Sequence, residues 1–117
     1  MVLAERIYQS TSTFPRNETF GLTSQLRRSA VSVPSNIAEG HGRVTRGEWV
    51  NFLGQARGSL LEMQTQIMLS KRLGFGDSNR LDADLELSEE VGRIINGLLA
   101  SVHRREARKP MPAVNSD

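Results

Sequence analysis

The side chains that carry most enzyme chemistry are sparse in this sequence. Two histidines, His41 and His103, stand far apart, and neither has a cysteine, histidine or glutamate at metal-ligand spacing beside it, so both read as surface residues. The absence of cysteine removes disulfides, thiolate metal sites and thiol nucleophiles together. Gly40-His41-Gly42-Arg43 has the look of a phosphate loop, but it follows a helical pattern rather than a strand and lacks the Gly-Lys-Ser/Thr ending, which makes it a helix C-cap and turn. Glu39 and Glu62 are placed to meet across two packed helices, yet without a nucleophile, a metal or a shaped cleft they predict an ion-pair network. The expectation is a protein that binds rather than catalyses, without cofactor or metal.

Binding chemistry is better represented. Thirteen of the fifteen basic residues are arginine, whose planar fork matches phosphate and carboxylate. The formal net charge is only +2, but residues 1–76 carry +4, residues 77–103 carry −4 and residues 104–117 carry +2. Arg27, Arg28, Arg43, Arg46, Arg104, Arg105 and Arg108 are the candidates for phosphate contact. A second group, Arg28, Ser35, Asn36, Glu39, Arg43, Arg57, Ser59 and Glu62, lies within or beside apolar stripes, where charged groups need partners. Two accounts stay open for that group, a hydrogen-bonded seam between helices or subunits and a grip on a ligand; the seam is the simpler.

Helices must position these residues. The chain has 117 residues, 38% hydrophobic and 5% aromatic, which suits one helical core of Leu, Ile, Val, Ala and Met. A short helix is predicted over residues 2–13, with Leu3, Ile7 and Ser10 on one face and Glu5 and Arg6 outside, stopped by Phe14-Pro15. A loop follows over residues 16–21. Leu22, Leu26, Ala30, Val33 and Ile37 form one stripe of a second helix ending near Glu39, kinked at Pro34 and closed by Gly40 and Gly42. Thr45-Arg46-Gly47-Glu48 reads as a capping box for the third helix.

In that third helix Trp49, Leu53, Ala56, Leu60, Met63 and Ile67 alternate at spacings of four and three, with Phe52 on the same side. Val50, Gly54, Leu61 and Met68 form a second stripe on another face, and Gly54 with Gly58 would admit a neighbouring backbone. Leu73-Gly74-Phe75-Gly76 ends the helix and Asp77 or Ser78 caps the next. A last helix over residues 79–105 points Leu81, Leu85, Val91, Ile95, Leu98 and Val102 inward. The bundle domain spans residues 1–109 and residues 110–117, with Pro110 and Pro112, form a tail. No apolar run approaches the ~20 residues of a transmembrane helix and no signal-peptide core opens the chain, so a soluble cytoplasmic protein without membrane contact is expected.

The blocks Leu22-Thr23-Ser24-Gln25-Leu26-Arg27-Arg28 and Val33-Pro34-Ser35-Asn36-Ile37-Ala38-Glu39-Gly40-His41-Gly42-Arg43, continued by Phe52-Leu53, Ala56-Arg57-Gly58-Ser59-Leu60-Leu61-Glu62 and Leu73-Gly74, resemble the bacterial four-helix-bundle family of 23S rRNA intervening-sequence proteins. The resemblance covers residues 14–76 closely and the last helix only in pattern. It implies an all-α up-down bundle assembled as a ring-like homopentamer, and a similar protein, the accessory factor of diversity-generating retroelements, binds nucleic acid and a reverse transcriptase. Pro34, Ser35, Asn36, Glu39, Gly40, Gly42, Arg43, Gly54, Arg57, Gly58, Ser59 and Glu62 are the motif and interface residues that it marks. This chain departs from the pattern in a shorter first helix and a milder basic charge.

The functional expectation is an oligomeric module that binds RNA, DNA or a nucleic-acid-handling protein. The competing one is an assembly scaffold or protein-interaction platform without nucleic acid, whose arginines serve subunit ion pairs.

Overall fold

The computed structural model describes residues 2–43 and 45–108, with side chains described as far as Arg105. Among these residues it contains α1 (Val2–Thr11), a single 3-10 turn (Arg16–Glu18), α2 (Leu22–His41), α3 (Arg46–Arg72) and α4 (Ser78–Arg108), and no strand. Successive helices run antiparallel, as their partners show: Ser29 faces Glu62, Ser32 faces Ser59 and Gly40 faces Phe52. At a rise of ~1.5 Å per residue α4 is roughly 45 Å long and α1 only about 15 Å, so α1 flanks one half of the bundle. The short first helix expected from the sequence is present, ending at Thr11 two residues earlier than Thr13.

The core is the set of predicted stripes. Leu26, Ala30 and Val33 of α2, Leu53, Ala56, Leu60, Met63 and Ile67 of α3, and Leu81, Ile95 and Val102 of α4 are buried, with Leu3 and Ile7 of α1 laid across them. Each fully buried Leu or Ile contributes roughly 1.5–3 kcal/mol relative to exposure. Leu98 departs from expectation. It is 37% exposed, and its neighbour Leu99 packs against the core instead.

The helix ends follow from local chemistry. Thr45 Oγ1 accepts the Glu48 N–H at 3.2 Å, and its own proton goes to Glu48 Oε1 at 2.9 Å, so the predicted box closes side chain to side chain. Asp77 Oδ1 accepts the Asn79 N–H at 2.8 Å and thereby caps α4. Gly74 and Gly76, at φ +75° and +70°, hold left-handed conformations in the α3–α4 turn that side chains rarely adopt. Phe14 and Phe75 meet over that turn at 5.8 Å between ring centres. Pro34 lies inside α2, which continues through it to His41.

Two expectations are corrected here. Gly40 does not end α2; it is buried in the last turn, where an added Cβ would stand 2.5 Å from Phe52 Cβ and 2.8 Å from the Trp49 ring. The missing side chain is what lets α2 and α3 close. Gly42 is the C-cap, at an ordinary φ of −80°. Arg6 does not lie outside: its Nε is 3.1 Å from Oδ1 of Asp84, whose side chain is almost wholly buried, while Ser10 Oγ donates to Asp84 Oδ2 at 2.5 Å. This pair ties α1 to α4. Lys71 and Asp82 form a second ion pair between α3 and α4, and Gln64 Nε2 donates to the buried Ser88 Oγ at 3.0 Å.

Gly40→Ala should lower stability by about 1–3 kcal/mol through overpacking, whereas Gly47→Ala, with open space around it, should be neutral or stabilising; urea titrations followed by Trp49 fluorescence separate the two. Arg6→Ala strands a buried carboxylate and should remove roughly 2–4 kcal/mol, while Ser10→Ala should remove about 1–2 kcal/mol. Equal melting of wild type and Arg6→Ala would mean that α1 is not held by this pair.

Candidate nucleic-acid interface

The seam between α2 and α3 is polar where its helices approach most closely. Ser32 Oγ and Ser59 Oγ lie 2.8 Å apart, and Asn36 Nδ2 donates to both Ser32 O and Ser32 Oγ at 2.9 Å. Ser29 Oγ, buried, stands 2.8 Å from Glu62 Oε1, 3.0 Å from Gln66 Oε1 and 3.0 Å from Gln25 O. It has one proton, and the carboxylate is the strongest of the three acceptors. Ser59 and Glu62 thus meet α2 across the seam, while Asn36 bonds back to Ser32 within its own helix. Ser35 lies outside the seam; it is exposed, and Ser29 and Ser32, which the apolar pattern does not single out, take the inward positions. A serine can pack inward wherever a partner helix offers an acceptor, so hydropathy gives no signal for it.

The remaining polar candidates separate from that seam. Glu39 does not meet Glu62: it pairs with Arg43 at 2.6 Å, and Arg43 also reaches Glu48 at 3.7 Å and lies over the Phe52 ring at 5.1 Å. Arg43 therefore staples the α2–α3 turn. Arg57 is exposed on α3 and makes no ion pair among the described residues. Gly54 and Gly58 face open space, with nothing within 4 Å of where a Cβ would stand. Along the same helix Leu61, Met68 and Leu69 are 52%, 47% and 46% exposed.

The arginines form two groups. The antiparallel register of α3 and α4, set by Gln64 beside Ser88 and Lys71 beside Asp82, carries Arg104 and Arg105 to the end of the bundle where Arg43 and Arg46 lie. His41 and His103 are exposed at that end, and His41 meets the edge of Trp49 at 5.8 Å. Arg108 falls where side chains are outside the described residues, as do Lys109 and the predicted tail.

Arg27 and Arg28 lie fifteen or more positions back along α2, about 20 Å from Arg43 at the helical rise. Arg27 is held in place. Its Nε donates to Thr11 Oγ1 at 2.9 Å, and its guanidinium lies 4.6 Å over the Tyr8 ring. Arg28 is exposed and makes no hydrogen bond or ion pair among the described residues. Both line an open groove of about 590 Å³ between α1 and the start of α2, shared with Tyr8, Phe20 and Val31. Phe20 is 95% exposed. The sequence pattern puts it in a loop; its position two residues before the Leu22 stripe, out of phase with it, is the one signal that could have marked it.

Among the described residues no three His, Asp or Glu side chains gather in a group able to hold a metal ion, and no helix is long and apolar enough to cross a membrane. What the surface offers is planar cations, exposed aromatic faces and an open apolar helix face.

No curated protein matches the chain. Among solved structures it is similar to a protein of unknown function from the S23 ribosomal protein family of Bacteroides thetaiotaomicron VPI-5482, at 21% identity and a TM-score of 0.75, over 84% of this chain and 92% of that one. At that identity the likeness speaks for the fold alone. The family model described as 23S rRNA-intervening sequence protein matches residues 1–97, which with the four-helix fold places this chain in that family.

Proposed function

We propose that the protein is a non-enzymatic, oligomeric binding module of the cytoplasm whose ligand is RNA or a nucleic-acid-handling protein. The observation that carries this reading is that the candidates Arg28, Arg104 and Arg105 are exposed and make no ion pair among the described residues, as is also true of Arg57. Other arginines are committed within the chain, Arg6 and Arg43 to carboxylates and Arg27 to Thr11 and Tyr8. The family's description, which ties it to an insertion in ribosomal RNA, supports RNA as the ligand class. Phosphate contacts release counterions, so such binding falls steeply as salt rises.

Fluorescence anisotropy with labelled RNA at low ionic strength tests it. Wild type should bind above a charge-matched control, and the triple change Arg28→Ala, Arg104→Ala, Arg105→Ala should weaken binding and flatten the logarithmic salt dependence by about one for each phosphate no longer held. Binding no better than the control overturns the reading.

Assembly as a ring of five copies is the second part of the proposal; the open face of α3 supports association, and the family resemblance supports five. Gly54, Gly58, Leu61 and Met68 leave an apolar strip without cover among the described residues. Soluble proteins keep such patches small, and a repeated head-to-tail contact closes into a ring where its rotation permits. This strip also favours the scaffold reading, in which Arg57 and its surroundings serve subunit contacts alone. Light scattering over a micromolar concentration series should give a multiple of the 13.0 kDa chain mass. Gly54→Leu with Gly58→Leu should leave a folded single subunit. A one-chain mass for wild type throughout would refute assembly, and Arg57→Ala that dissociates the protein while wild type ignores RNA would favour the scaffold.

A further inference from the structure

The groove between α1 and the start of α2 has a composition that the arginine inventory does not explain. Phe20 stands 95% exposed at its rim, Tyr8 is 46% exposed on the opposite helix, and both line the same open space of about 590 Å³ as Arg27, Arg28, Ser24 and Val31. Among the described residues no acidic side chain lines it. A phenyl ring surrounded by water at the mouth of a cationic groove adds nothing to the fold. We propose that this groove binds an unpaired nucleotide of RNA, with its base stacked on Phe20 and its phosphate on Arg28; this rests on the RNA-binding reading above.

Several observations favour this occupant. Every nucleobase has a π-face, and groups of aromatic and basic side chains are how proteins hold single strands without reading sequence. Arg27 is pre-organised to receive a ligand, since Thr11, the Tyr8 carbonyl and the Tyr8 ring fix its guanidinium plane and little freedom remains to be lost on binding. Arg28 has no partner among the described residues and supplies the free charge. At the start of α2 one N–H, that of Leu22, is already taken by Glu18 Oε1 at 3.0 Å, and the Glu18 carboxylate there disfavours a second anion. A duplex hides its base faces and would leave Phe20 unused.

The test compares a labelled oligouridine, whose bases stay unpaired and unstacked, with a blunt-ended RNA duplex of equal phosphate count. Phe20→Ala should weaken oligouridine binding roughly 5- to 150-fold, leave duplex binding within about 2-fold, and be rescued by Phe20→Trp. Arg28→Ala should weaken both ligands and lower the salt slope by about one. If wild type binds oligouridine and Phe20→Ala binds it equally well, the groove assignment fails while the wider reading stands. If wild type binds neither RNA, both fail. If Phe20→Ala lowers the mass seen by light scattering, the groove is a contact between copies of the chain and the assignment also fails.

Discussion

A carboxylate taken out of water needs a cation and donors close by, and Asp84 finds both on a single helix. Arg6 and Ser10 sit four residues apart on α1 and converge on its two oxygens, so α1 can satisfy Asp84 in one position only. That position also lays Leu3 and Ile7 over the core and sets Tyr8 at the edge of α2. Apolar packing alone would let a helix of ten residues slide by a turn. The ion pair supplies the register, and the wall of the basic groove depends on it.

The α2–α3 contact is organised on a different principle. Gly40 removes a side chain where Trp49 and Phe52 press in, and the serines above it use short hydroxyl bonds in place of bulk. Close approach at both levels leaves the outer face of α3 uninvolved, so Gly54, Gly58, Leu61 and Met68 are uncovered among the described residues. Tight packing inside the subunit and an open strip outside it are two sides of one arrangement.

Helical periodicity makes the stripes of α2 and α3 legible, and Thr45 with Glu48 marks the start of α3, because each of those signals is local. The same periodicity points Leu98 inward, but a long helix drifts against its neighbours and Leu99 takes the position. Arg6 reads as an outward charge, since nothing in its neighbourhood announces Asp84, a partner 78 residues away. Gly40 looks like a terminator because glycine serves both roles, and only the partner helix decides between them. For the candidate site, the arginines can be named from the sequence, whereas the groove cannot: Tyr8 and Phe20 come together only once α1 has docked.

The same ion pair bears on how the chain is born. Residues leave the ribosome in order, so α1 emerges well before its electrostatic anchor, Asp84, which is made only after α2 and α3 are complete. Until then Leu3 and Ile7 have α2 as their only neighbour and Arg6 has no carboxylate to face. A helix made early is thus locked late, and its apolar side stays open until α4 has been made.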